Sequence, residues 1–160
     1  MIRALELAGF AAAHGIWCVS DGGPLIPMGF EVTEDGQRSM KRYVALRLED
    51  GVREALEWLG DSSPDGAARV VVYDGYLPLP SGKADCLFLK IANGPSQFEM
   101  AVPYRSNDSP AGFAVFRPKF LEVPEDHSKK IPMLAECFFH GVDSHAEGAN
   151  VWNKHMDQSL

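Results

Sequence analysis

The chain has 160 residues, 46% hydrophobic and 23% charged, which excludes a disordered polymer and fits one domain, residues 1–160, around one core. Acidic side chains outnumber basic ones 22 to 15, a formal net charge of −7. That balance repels phosphate backbones and anionic lipid surfaces, so neither nucleic acid nor membrane is expected as a partner.

From Ile2 to about Ala13, the spacing of Leu5, Ala8 and Ala12 predicts a first helix, with Gly15 placed to cap its end. Arg3 before this apolar run faintly echoes a signal peptide, but Glu6 interrupts it. No apolar run in the sequence reaches the length of a membrane span. A short strand, Ile16 to Ser20, is expected next, and Asp21-Gly22-Gly23-Pro24 spells a turn.

Leu25 to Val32 and Ser39 to Leu46 read as two strands flanking a polar gap whose Asp35-Gly36 is a hairpin signal. Pro27 suggests a sheet edge or a bulge for the first of them. The period then changes. Val52, Ala55, Leu56 and Leu59 recur at helical spacing, with Glu49 and Asp50 at the positive N-terminal end and Gly60 at the exit.

Four β-like runs follow, Ala68 to Leu79, Ala84 to Ile91, Gln97 to Tyr104 and Gly112 to Leu121, separated by short turn-forming segments. Such connections force antiparallel neighbours and predict a meander. In the third run Phe98, Met100, Val102 and Tyr104 share one face. Pro132 suits the first turn of a helix over Met133 to His140, and a second helical stretch spans Ala146 to Met156. Gly141 to Ser144 is either a break between them, with Ser144 and Glu147 as a capping box, or part of one continuous helix. The expected fold is α+β: a mostly antiparallel sheet of about five to seven strands, an N-terminal helix, one inserted helix, and a C-terminal helical segment packed on the sheet.

Three cysteines, Cys18, Cys86 and Cys137, lie far apart among apolar neighbours with no CxxC, which reads as buried reduced thiols in a cytoplasmic protein. No motif implies a cofactor. Glycine-rich spots at Gly22-Gly23 and Gly94 match neither a dinucleotide nor a phosphate loop.

The densest polar cluster is His140, Asp143, Ser144, His145, Glu147 and His155. On a continuous helix His140, Asp143, Ser144 and Glu147 would share a face, which makes His140, Asp143 and His145 the candidate catalytic residues of a hydrolase or metal enzyme. The spacing matches no metal motif, and no metal site is assigned; a solvated helix face with a cap explains the same residues. Neither Ser20 nor Ser144 sits in a nucleophile elbow.

Tyr73, Asp74 and Tyr76 surround Gly75, where a bulge or close backbone approach could admit a small ligand. Phe113, Phe116 and Phe120, interleaved with Arg117, form an aromatic edge open to another protein. The basic trio Arg38, Lys41 and Arg42 is too small to imply a nucleic-acid partner. The best reading is a protein-binding or regulatory domain without catalytic activity; the alternatives are the hydrolase or metal enzyme above and a small-ligand-binding domain.

Overall fold

A computed structural model describes residues 1–160 and shows an α+β architecture. Helix α1 (Ile2–Val19) is followed by β1 (Met28–Val32), β2 (Arg38–Arg42), α2 (Leu48–Gly60), β3 (Ala68–Leu79), β4 (Gly82–Asn93) and β5 (Ser96–Arg105). Two short strands, β6 (Ala114–Val115) and β7 (Lys119–Glu122), precede a 3-10 turn at Glu125–Lys130 and helices α3 (Ile131–Asp143) and α4 (Ala146–His155). All seven strands form one antiparallel sheet in the order β2-β1-β3-β4-β5, with β6 and β7 both paired to β5. The meander arises because each connection from β3 to β5 is only long enough for a tight turn, with Gly82 and Gly94 supplying the positive φ these turns need.

Alternation along the strands divides the sheet into two faces. Phe30, Val70, Val72, Leu87, Leu89, Met100 and Val102 belong to the main core, with α1, α3 and α4 packed over them. On the opposite face α2 buries Ala55 against Tyr43 and Val71. Arg69 fixes this second layer: its guanidinium pairs with Glu31 at 2.6 Å, donates to the backbone oxygens of Trp58 and Asp61, and lies over the Trp58 ring. It thus anchors the C-terminal end of α2, adding a second bond to the Trp58 oxygen, which also accepts from the Asp61 N–H.

Several expectations are corrected. Helix α1 does not stop at Ala13: it runs through Gly15 and most of the predicted strand Ile16–Ser20, ending at Val19 with Ser20 as its C-cap. Gly15 is an interior contact, because a Cβ there would stand 2.8 Å from Leu87 Cδ1, so tertiary packing overrides its poor helix propensity. At 18 residues and mean hydropathy 1.2, α1 is long and apolar enough by length and composition to cross a bilayer, but 61% of it is buried within this fold. Pro27 lies just outside β1, and the edge strand is β2. The run predicted from Gly112 to Leu121 is divided by Phe116-Arg117-Pro118 into β6 and β7.

Helices α1 and α3 approach with almost no side chain between them. A Cβ on Gly9 would lie 1.8 Å from the Phe138 oxygen, and one on Gly141 would lie 1.9 Å from the Glu6 oxygen. The missing side chains let the two backbones touch. This contact sets where α3 stands over the sheet, and hence the shape of the surface described next.

Candidate functional site

The C-terminal polar cluster is dispersed. His140, Asp143 and Ser144 are exposed, whereas His145 is 6% exposed and turns inward. The chain breaks between α3 and α4, but the expected capping box is absent. The cap of α4 is His145, whose Nδ1 accepts from the Gly148 N–H at 2.9 Å, while the Ser144 hydroxyl donates back to the Gly141 oxygen. Glu147 is left 3.8 Å from the same Nδ1. Neither His140 nor Asp143 borders the cavities lined by Trp152, Met40 or Asp74. Nowhere do three His, Cys, Asp or Glu side chains gather closely enough to hold a metal ion.

His145 instead meets His14 of α1, with Nε2 2.9 Å from His14 Nδ1. Because His145 Nδ1 accepts the cap bond, its neutral form carries the proton on Nε2 and donates it to His14 Nδ1. His14 then carries its own proton on Nε2, a buried atom without a hydrogen-bond partner. Burial lowers the pKa of His14, His145 and Arg42 reinforce the shift, and Glu147 opposes it. The rings of Phe10, Trp17 and Phe30 pack around the two imidazoles.

Pleating separates Tyr73 from its neighbours. Tyr73 stacks on Phe88 at 5.6 Å on the α2 side of the sheet, and burial raises its pKa. Asp74 and Tyr76 point to the other side, where Tyr76 is exposed beneath Lys83. The strand keeps an unbroken register through Gly75. A Cβ on Gly75 would stand 2.9 Å from Phe88 Cε2, so the glycine serves close approach of a ring.

Asp74 accepts from the Tyr104 hydroxyl at 2.9 Å and from the Gly75 N–H at 3.0 Å. With Asp85 and the Gly22-Gly23 loop it borders a polar cavity of about 240 Å³. Burial raises the Asp74 pKa against the pull of the Tyr104 hydrogen bond. The Tyr104 hydroxyl is itself pushed well above the usual phenol range by burial and by the Asp74 charge.

The aromatic segment lies partly inside a groove. Phe116 is buried rather than exposed, Phe113 packs on Tyr104 and His155, and Arg117 reaches solvent. Phe116, Arg117 and Phe120 form one wall of a cavity of about 350 Å³, and Ile131 and Phe139 of α3 with Met156, just past the end of α4, supply the other. Trp152, almost fully buried, also borders it and packs on Phe138 and Phe139. Ile131, Phe139 and Met156 are 37%, 39% and 52% exposed, so their apolar surface faces the open groove.

The sequence marked only the Phe116–Phe120 wall. A usable signal for the other was the breadth of apolar residues on α3: Leu134, Cys137 and Phe138 are buried, yet Ile131, Met133 and Phe139 remain exposed. Comparison with protein-family models, curated proteins and solved structures gave no match.

Proposed function

We propose that the protein is a binding domain without catalytic activity, and that the groove between α3, α4 and the Phe116–Phe120 segment receives an apolar segment of another polypeptide. The observation that carries this reading is the convergence of Ile131, Phe139 and Met156, all exposed, on one cavity of about 350 Å³. That volume lies within the range of specific pockets, and apolar surface concentrated in a concavity marks an interaction site. Phe, Met and Trp are the side chains enriched at interface centres, and Arg117 at the rim is in no ion pair, which favours a segment carrying an acidic residue beside its apolar anchors. The dispersal of His140, Asp143 and His145 favours this reading over a hydrolase built on those three residues. Three unpaired thiols fit a reducing compartment such as the cytoplasm.

The test is titration of the ¹⁵N-labelled protein with a panel of synthetic amphipathic peptides bearing Leu, Phe or Trp anchors. The Trp152 indole and the amides of Ile131, Phe139 and Met156 should shift together, and Phe139→Glu or Met156→Glu should abolish the response while leaving the fold intact. No shift with any peptide, or shifts that persist in both variants, refutes the groove as the site.

A further inference from the structure

We propose a second, independent surface: the open edge of β2 takes an extended acidic segment of a partner by strand addition, with one apolar side chain seated in the cavity between β2 and α1. Strand β2 ends the sheet, pairs only with β1, and is exposed at every residue. Tyr43 N–H donates to the Pro27 oxygen and Thr33 N–H to the Gln37 oxygen. In the antiparallel register that places Val32 opposite Arg38 and Met28 opposite Arg42, those bonds direct the backbone of Ser39 and Lys41 toward β1. The N–H and C=O groups of Arg38, Met40 and Arg42 therefore face outward, free to pair with another strand.

The same three residues define what that strand carries. Across the ladder they oppose Val32, Phe30 and Met28, which are buried on the α1 side. Arg38, Met40 and Arg42 thus present an apolar side chain between two cations on that side. Beneath Met40 lies a cavity of about 260 Å³ whose apolar lining is Leu7 and Phe10 of α1 and Phe30 of β1. Arg38 borders it and lies over the Phe10 ring at 5.0 Å. A strand bonded to this edge would place alternate side chains on the α1 side, the middle one over the cavity and its neighbours opposite Arg38 and Arg42. The complementary pattern is acidic–x–apolar–x–acidic.

Charge selects between occupants. Arg38, Lys41 and Arg42 take part in no ion pair, although the chain carries 22 acidic side chains. A second copy of β2 is a poor partner, because it would bring arginines against arginines in two molecules of net charge −7. Basic residues on an edge strand also guard against aggregation. Guarding accounts for the cations, but not for a largely apolar cavity beside Arg38 and Met40 at an edge of unpaired backbone. Strand-addition sites have that combination: main-chain bonds supply affinity, and a pocket for alternate side chains supplies specificity.

The experiment uses the full chain, ¹⁵N-labelled, and the synthetic peptide Thr-Glu-Thr-Leu-Thr-Glu-Thr, held extended as one arm of a cyclic hairpin. The amides of Arg38, Met40 and Arg42 should shift and gain protection from hydrogen exchange. Binding should weaken about tenfold in the double variant Arg38→Glu, Arg42→Glu, and severalfold as salt rises through the range that screens exposed charges. Met40→Asp should abolish it. A peptide N-methylated at its Leu and both Glu residues should fail, since methylation removes the donors facing the edge without changing charge. Equal binding by the N-methylated peptide, or by one with Leu and Glu moved to the alternate positions, overturns strand addition. Shifts confined to Trp152 and its neighbours also overturn it and leave the α3/α4 groove reading standing, as does a dimer mapped to β2.

Discussion

Replacing Gly141 with alanine tests the backbone contact on which the groove depends. A Cβ at this position would lie 1.9 Å from the Glu6 oxygen, whereas real Cβ atoms do not come within 3.0 Å of such a neighbour, so α1 and α3 must part by at least 3.0 − 1.9 = 1.1 Å. A gap of that size forfeits a quarter to a half or more of the dispersion attraction across the interface, and overpacking of this kind costs about 3 kcal/mol. Helix propensity acts in the other direction, since alanine is favoured over glycine by about 1 kcal/mol. The net loss is about 2 kcal/mol, or a fall in Tm of about 4–8 °C for a chain of this size. Thermal melts of the wild type and Gly141→Ala measure it. The control is Gly60→Ala at the end of α2, where an added Cβ meets nothing within 4 Å; its Tm should hold or rise slightly. Gly9→Ala, across the same interface, should add less than its own cost to Gly141→Ala, because the helices have already parted. An unchanged or higher Tm for Gly141→Ala refutes the reasoning, for then propensity outweighs the contact.

The His14–His145 pair should make stability depend on pH. The folded pKa of His14 is lowered below its unfolded value near 6.5, so the unfolded chain binds the proton more readily. The stability this group contributes is complete above pH 6.5 and is lost as pH falls toward the folded value. Urea melts between pH 8 and pH 5 should show the decline, and His14→Phe should flatten it; an identical slope in the variant rejects the assignment. Tyr104→Phe should raise the Asp74 pKa further, read by NMR titration of its carboxyl carbon, and lower stability by about 1.5–3 kcal/mol, because a half-buried carboxylate loses its hydroxyl donor. Among the thiols, Cys86 is fully buried with its pKa pushed up to about 12 and should resist a disulfide reagent until the chain unfolds. Cys18, only partly buried, should react first in the native protein; modification of Cys86 at a comparable rate contradicts the packing around it.

Elements whose signals are local were legible in the amino-acid order. The single period of Val52, Ala55, Leu56 and Leu59 specified α2, seen as Leu48–Gly60. The turn residues at Gly36, Gly82 and Gly94 placed the hairpins, and the run Ala68–Leu79 matched β3 at both ends. Short turns leave one pairing topology, so the meander followed. Whatever depends on a distant partner was settled by long-range packing. Gly15 reads locally as a helix end, and only the presence of Leu87 across the core lets α1 continue through it. His145 reads as part of a C-terminal cluster, yet its imidazole is claimed by His14, 131 positions away. The groove and the β2 edge belong to the same class: a pattern of apolar residues tells which side chains avoid water, but not whether a neighbouring element covers them. At Ile131, Phe139, Met156 and Met40 the fold supplies no complete cover.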